Sequence, residues 1–405
     1  MRRRRFLATT AVAGGLLAGC TGSDGGTNES TAGAGDGTGT AASDGTTGAG
    51  AATESGSTAA EGTGSEATDE TGTASGGSYS VTMPPVGTVS FDSVPETWVA
   101  NNGSWADMGV ALGKQPPKAV WLTERYHTQY YDEIPGVSVD KSGMQSLYSD
   151  GVSKELFYEL DGDVHVIDPN FLLNRYKGWN QTDIKEIETE IAPFFGNSIF
   201  SRGYDWHEDY PYLSLYEAFE KLSQVFQETE RYEAFAGLHD DFQSNVSEVV
   251  PSGEKPAVAI MWAGSDQPDT FSPYLISPGT SFKQWRDLEV RDAFADTSVR
   301  DFHADRSEVD FETLLEVDPD VLLLRGHEDK TRKQFQNTVV SYLESNDTAS
   351  ALTAVENGDV YRGGPLYQGP ITNLVLTERA ARQVYGASDQ LFDRQRVADI
   401  VTGSS

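Results

Sequence analysis

From residue 81 onward, short apolar runs alternate with segments whose apolar positions recur every three or four residues. Lys118–Thr123, Val164–Ile167, Ala257–Trp262 and Val321–Leu324 are the clearest strands. Their nearly unbroken apolar character predicts strands covered on both faces, the signature of a parallel sheet between helical layers. Leu215, Ala218, Phe219, Leu222, Val225 and Phe226 share one helical face. A second helix is predicted over 228–250, from Tyr232, Phe235, Ala236, Leu238, Phe242 and Val246, ending before Pro251. At 1.5 Å per residue it would be about 34 Å long. One long helix between two strand-and-helix halves predicts a stiff strut joining two α/β lobes.

A repeat supports two lobes over one large sheet. Residues 152–164 align without gaps on residues 309–321, at a constant offset of 157. In each copy Ser153 or Asp310 is placed to cap a helix, with Glu155 or Glu312 in the first turn, where the helix dipole favours an anion. Asp161-Gly162 and Asp318-Pro319 then stop the helix before a strand.

The first eighty residues read differently. Arg2–Arg5, the apolar run Phe6–Leu17 and the small residues after it form a signal peptide over 1–19, and Arg3-Arg4-Arg5-Phe6-Leu7 fits a twin-arginine signal. Leu17-Ala18-Gly19-Cys20 matches a lipobox, which would leave Cys20, the sole cysteine, lipidated. Residues 21–78 contain no Lys, Arg, aromatic, Leu, Ile or Val. Such a tract cannot bury enough apolar area to fold, so 20–80 is expected to be a tether. As a flexible coil it would span about 42–45 Å. The expected organisation is signal 1–19, tether 20–80, first lobe 81–227, linking helix 228–250 and second lobe 251–405.

Charge narrows the partners. The chain has 62 acidic and 30 basic residues, a net charge of −32. Without the first nineteen residues, and their four arginines, the balance is 62 against 26, or −36. Nucleic acid is excluded as a natural partner, since phosphate binding needs a basic footprint. The acids are spread through the globular part, as on a halophilic surface, where molar salt shortens the Debye length to about 3 Å. Five Asn-x-Ser/Thr sequons begin at Asn28, Asn102, Asn180, Asn245 and Asn346.

The segments Ser307–Leu324 and Leu352–Tyr361, with Glu312-Thr-Leu-Leu-Glu-Val-Asp-Pro-Asp-Val321 and Ala354-Val-Glu-Asn-Gly-Asp-Val-Tyr361 at their cores, resemble the periplasmic binding proteins of iron-siderophore and vitamin B12 uptake. The resemblance covers about residues 86–386 and is weaker in the first half, where Asp161-Gly162-Asp163 replaces the usual x-Pro-Asp. It implies the class III fold, two Rossmann-like lobes joined by one long α-helix, with the ligand cleft between lobes that move little. It also implies a substrate-binding lipoprotein of haloarchaeal type, monomeric, without a cofactor of its own and without catalytic activity. Such a protein would sit on the extracellular face of the cytoplasmic membrane, working with an ABC permease and a separate ATPase. Its ligand would be a ferric siderophore or a cobalamin-like chelate. By the same resemblance Glu155 matches the first-lobe permease-docking glutamate. The second counterpart falls near Pro278–Ser281, where no carboxylate stands and Asp287 or Glu289 would have to substitute.

Ligands of open parallel sheets bind beyond the carboxyl ends of the strands. Reading past each strand gives Arg125, Tyr126, Arg175, Tyr176, Trp262, Arg325, Tyr361, Arg362 and, in the Gly363–Tyr367 loop, Tyr367; Trp105 is added as an aromatic contact. Arginine forks with flat rings suit a bulky, partly anionic metal chelate. The alternatives are a binding protein for a bare transition metal or haem, and an exported hydrolase. The six histidines form no HxxH or HExxH pair, and there is neither a GxSxG elbow nor a phosphate-binding P-loop.

Overall fold

The computed structural model describes residues 77–404 apart from Asp150, Tyr176, Lys177, Gly203 and Asp205. Cys20, the signal and most of the tether lie outside the described residues. The chain opens with an antiparallel hairpin of β1 (Tyr79–Met83) and β2 (Gly87–Phe91). The first lobe continues through β3 (Trp98–Ala100), α1 (Gly103–Ala111), β4 (Ala119–Val120), β5 (Gln145–Ser146), α2 (Lys154–Leu160) and β6 (Val164–Val166). It closes with α3 (Pro169–Arg175), α4 (Gln181–Glu190) and α5 (Leu215–Phe226). After α6 (Thr229–Val249) come β7 (Ala257–Trp262), β8 (Thr270–Pro273), α7 (Lys283–Asp287), β9 (Arg291–Asp292), α8 (Phe302–Asp305) and β10 (Val309–Asp310). The second lobe ends with α9 (Phe311–Val317), β11 (Val321–Arg325), α10 (Arg332–Phe335), α11 (Ser341–Ser345), α12 (Thr353–Glu356), β12 (Val360–Arg362), α13 (Pro370–Tyr385) and α14 (Arg394–Thr402).

In the first lobe β3 pairs in parallel with β6 and β4 with β5. The amide of Lys118 donates to the Trp98 carbonyl at 2.8 Å and that of Trp121 to Asn101 at 2.9 Å, which carries β4 alongside β3. The second sheet runs β10-β8-β7-β11-β12, with β9 also on β7. Its centre, β7, β11 and β12, is parallel; β8 runs antiparallel to β7, and β10, antiparallel to β8, points the same way as the centre. The all-parallel expectation fails at this edge because seven residues after Trp262 are enough to turn the chain back onto β7, with no crossover helix.

Side-chain alternation divides each sheet between two cores. Val258, Ile260, Val321 and Leu323 face the large core, whereas Ala259, Met261, Leu322 and Leu324 face a second one. Trp98, Ala100, Val164 and Val166 join the same large core from the first lobe, while Val99, Trp121 and Ile167 face a third. The large core is therefore shared by both lobes. Its filling comes from Phe219 and Leu222 of α5, from Phe235, Leu238, Phe242 and Val246 of α6, and from Leu374 and Leu376 of α13. The two C-terminal helices return to pack on α1 and α6, so the chain beyond 251 also covers the first lobe.

The repeat is structural. α2 and α9, β6 and β11 start at the same offset of 157, and Asp161 (φ 46°) and Asp318 (φ 42°) both end their helices in the left-handed conformation. Asp163 accepts from the Thr97 amide before β3 at 2.7 Å, and its repeat partner Asp320 accepts from Ala257 at the start of β7 at 2.7 Å. The caps differ. Asp310 accepts from Thr313 at 2.9 Å, whereas the Ser153 hydroxyl turns to Glu155 at 2.6 Å and caps nothing.

Candidate ligand cleft

Where the strands of the two lobes end, their loops face each other across a cleft with two chambers. One, of about 340 Å³, is lined by rings and cations: Trp121, Phe171, Phe200, Tyr204, Tyr274, Phe302 and Tyr367 with Arg125, Arg175, His303 and Arg306. The other, of about 350 Å³, carries Glu124, His127, Glu328 and Asp329. Arg125, Trp262 and Leu366 border both. The guanidinium of Arg125, from the first lobe, lies 5.2 Å from the centre of the Trp262 ring in the second, so a cation–π contact divides the cleft. Tyr204 meets His303 across the same gap at 5.9 Å, and Phe200 meets Tyr367 at 5.4 Å.

The aromatic chamber holds three arginines and no carboxylate. That is unusual in a chain where acids outnumber bases two to one. Guanidinium groups beside flat apolar rings, partly shielded from water, favour an anion with an aromatic body. The floor adds a further positive group. Arg325 is fully buried at the end of β11, 4.8 Å from the Phe282 ring centre and 5.5 Å from that of Tyr274, with Nη2 donating to the Ser281 carbonyl. Its Nε and Nη1 have no protein partner, and burial pulls its pKa down to about 10.

In the acidic chamber the Glu328 carboxylate is compensated. It is gripped by Arg379 at 3.0 and 3.3 Å, by the Gly364 amide at 2.9 Å and by the Tyr130 hydroxyl. Burial pushes its carboxyl up, but Arg379, Arg362 and these hydrogen bonds hold it down at about 2. Tyr130 belongs to the first lobe, so the cluster also ties the lobes together. A second tie is Asp107 of α1, whose Oδ2 accepts from the Ile371 and Thr372 amides at 3.0 and 3.1 Å at the start of α13. Complete burial raises the Asp107 carboxyl to about 6 against the pull of those donors.

Of the residues expected from sequence, Arg125, Arg175, Trp262 and Tyr367 line the cleft, and Arg325 lies beneath it. Tyr176 lies outside the described residues. Four corrections follow. Trp105 is 1% exposed in the large core, because every residue of α1 is buried. Tyr126 is 3% exposed and hydrogen-bonds Tyr131 at 2.8 Å. Tyr361 turns its hydroxyl to Asp359 at 2.9 Å, and Arg362 reaches the Lys330 carbonyl; neither lines a chamber. Glu155 is exposed in the first turn of α2, and Glu312 holds the equivalent exposed place on α9. Pro278–Ser281, near which the second docking position falls and where no carboxylate stands, is a contact with the first lobe. Thr280 and Ser281 are buried, and their amides donate to Ile199 and Phe200. Asp287 is committed to Lys283 at 2.6 Å, and Glu289 pairs with Lys255 at 3.3 Å.

The sequence reading missed Phe200 and Tyr204 from the loop before α5, Tyr274 after β8, and His303 and Arg306 around α8. The signal that could have found them is the density of aromatic and basic residues in irregular segments such as 200–212, where a chain without periodicity still spends large rings. Among the described residues no group of three or more His, Cys, Asp or Glu converges as a metal site, and no helix is long and apolar enough to cross a membrane.

Comparison with known proteins agrees with this geometry. The profile of the family described as periplasmic binding protein matches residues 110–366. No curated protein sequence matches the chain. A periplasmic binding protein from Veillonella parvula superposes with a TM-score of 0.53 at 13% identity, covering 77% of this chain and 99% of its own. The petrobactin-binding protein YclQ of Bacillus subtilis gives 0.52 at 15%, covering 76% and 98%. The iron uptake ABC transporter substrate-binding protein PiuA of Streptococcus pneumoniae gives 0.50 at 18%, covering 74% and 96%. At these identities the likeness is one of fold: two α/β lobes joined by a long helix, the class III arrangement. With the family profile spanning well over half of its residues, the chain belongs to the periplasmic binding protein family.

Proposed function

We propose that this protein is the lipid-anchored, extracellular substrate-binding subunit of an ABC importer, and that its ligand is an anionic, ring-bearing ferric chelate of the siderophore class. The observation that carries the reading is the aromatic chamber, with three arginines and no carboxylate in a chain of net charge −32. The structural neighbours named for petrobactin binding and iron uptake point the same way. The same chamber disfavours a cobalamin-like corrinoid, which offers little negative charge for three guanidinium groups to neutralise.

Capture would proceed by the Arg125 fork leaving the Trp262 ring to meet chelate oxygens, while the freed indole stacks on the ligand. Arg175 and Arg306 would complete the charge match, and Arg325 beneath would strengthen the positive field. Presentation to the permease follows from the repeat. α2 and α9 each lead into a parallel strand, so each helix begins at the carboxyl edge of its sheet, beside the cleft mouth. Glu155 and Glu312 are thus paired exposed carboxylates, one per lobe, suited to basic pockets on a two-subunit permease. Cys20 would hold the assembly at the membrane, with ATP hydrolysis in a separate subunit.

The test is tryptophan fluorescence of the mature protein in molar salt, titrated with ferric tricatecholate, ferric citrate, a neutral ferric hydroxamate and cobalamin. Saturable quenching at about micromolar Kd by the anionic chelates, weakened about tenfold in Arg125→Ala, is expected. Tighter binding of cobalamin or of the neutral chelate would overturn the assignment of ligand class. One observation favours haem as a second reading. His303 lines the chamber with its Nδ1 facing Asp301 at 3.2 Å, the orientation that steadies a metal-binding imidazole. A Soret shift on haem addition, lost in His303→Ala, would select it.

A further inference from the structure

We propose that a second cavity, behind the linking helix, is a binding site for a small aromatic carboxylate. The cavity, about 410 Å³, is walled by the start of α5, by the middle of α6 and by residues 278–286 of the second lobe. That volume falls within the ordinary range of small-molecule pockets, roughly 300–1,000 Å³. It does not share a residue with either chamber of the cleft.

The chemistry of the walls is divided. One side is flat and apolar: Tyr216 lies against His239 with ring centres 4.1 Å apart and planes 33° apart, and Tyr232 and Ala236 extend the surface. Burial holds the His239 imidazole at about 4, so this face is neutral at physiological pH. The other side is cationic. Lys283 and Arg286 stand one turn apart on α7, and Asp240 is the sole acid among the lining residues. Lys283 is paired with Asp287, but no carboxylate among the described residues lies within ion-pair distance of Arg286. Arg286 holds the Ser277 and Gly279 carbonyls through Nη1, and burial lowers its pKa.

Two hydroxyls have no protein partner. Tyr216 Oη and Thr280 Oγ1 are both without a hydrogen bond, and Thr280 is only 3% exposed. Buried hydroxyls are ordinarily satisfied, so two orphan donors among lining residues that include Lys283 and Arg286 indicate what the site lacks: acceptor oxygens carrying negative charge. A carboxylate supplies them, and a ring attached to it matches the Tyr216–His239 wall.

Position gives the site a consequence. Its walls come from both lobes and the strut between them, and Thr280 and Ser281 hydrogen-bond Ile199 and Phe200, the latter a wall of the cleft. The Ser281 carbonyl accepts from Arg325 beneath the chelate chamber. An occupant of the rear cavity therefore braces the same segment that supports the front one, and coupling between the two must be reciprocal.

The test uses the full mature protein with benzoate as probe and benzyl alcohol as its uncharged counterpart, read by equilibrium dialysis and ligand-observed NMR. Benzoate should saturate with a Kd of about 1 mM or tighter, and benzyl alcohol should bind about tenfold more weakly or not at all. Ala236→Phe, which fills the cavity from α6, should abolish benzoate binding while leaving chelate-induced quenching in place. Lys283→Gln leaves the walls standing and should weaken benzoate about three- to tenfold, so the site stays testable if the bulkier variant fails to fold. Absence of saturation at about 20 mM benzoate, equal binding of benzyl alcohol, or undiminished binding in a folded Ala236→Phe protein would each overturn the proposal. Because benzoate binding is read without a chelate, its failure and a failure of the chelate assignment are separate results.

Discussion

Glu328→Gln tests the interlobe clamp most directly. Glu328 is 3% exposed and bridges Arg379 of α13, the Gly364 amide and Tyr130 of the first lobe, while the Gln129 side chain donates to its carbonyl at 2.9 Å. The carboxyl is held at about 2 against 4.5 for a free glutamate, with burial opposing and Arg379 prevailing. At about 1.4 kcal/mol per pH unit this depression corresponds to about 3 kcal/mol of folding stability. The sign follows from the direction. A carboxyl whose folded pKa is depressed stabilises fully above its unfolded value near 4.5, and that contribution drains away as the pH falls towards 2. Glutamine keeps the shape and an acceptor for Gly364 but leaves the Arg379 charge uncompensated, so a loss of about 3–5 kcal/mol is expected at pH 7. Urea unfolding in molar salt, followed by tryptophan fluorescence, should show that penalty shrinking by about 2 kcal/mol at pH 3, where the unfolded carboxyl is protonated while the folded clamp is still largely ionised. Adding Arg379→Met should restore much of the stability, since removing both charges leaves neither stranded. A penalty below about 1 kcal/mol at pH 7, or one of equal size at pH 3, would refute this account of the clamp.

Other perturbations probe different links of the argument. Gly109→Ala on α1 places a methyl 2.3 Å from the Trp98 ring, which is locked in the core and hydrogen-bonded to the Gln115 carbonyl, so thermal unfolding should show a loss of about 1–3 kcal/mol or more. Asp107→Asn removes a carboxyl raised to about 6; a raised acid costs stability as the pH climbs from about 4 through 6, so the variant's stability should be flat across that window where the wild type declines. Cys20→Ser should release the protein from cells into the medium with chelate quenching unchanged, and retention on the membrane would count against the lipid anchor.

The elements legible in the sequence are those whose environment is uniform along their length. β7 and β11 are buried on both faces, so their apolar runs announce them. α5 and α6 each show one buried stripe, and the observed Leu215–Phe226 and Thr229–Val249 lie within two residues of the periodic reading. The repeat survives because the Asp161 and Asp318 turns and the Asp163 and Asp320 strand ties do the same mechanical job in each lobe. The cleft was legible only in part. Arg125, Arg175 and Trp262 follow strands or helices that sequence could locate, whereas Phe200, Tyr204, Tyr274 and Arg306 arrive from loops whose path depends on the antiparallel β8–β10 edge. Trp105 misled because α1 is buried all round, its polar Ser104 and Asp107 included, so the pattern of polar and apolar residues does not say which side meets a ligand.

The same structure constrains how a ligand can be taken up. A wide rotation of one lobe away from the other would have to separate Asp107 from the amides of α13, Glu328 from Tyr130, and Ser281 from Phe200, all within the protein interior. Stranding even one such buried carboxylate costs several kcal/mol, many times the thermal energy of about 0.6 kcal/mol, and these contacts would break together. The large hydrophobic core compounds this, since Val258 and Val321 of one sheet and Trp98 and Val164 of the other are packed against the same helices. By contrast, turning Arg125 away from Trp262 gives up one partly exposed cation–π contact, which costs on the order of 1 kcal/mol, besides its hydrogen bond with Tyr367. The low-energy motion is therefore in the side chains that divide the cleft.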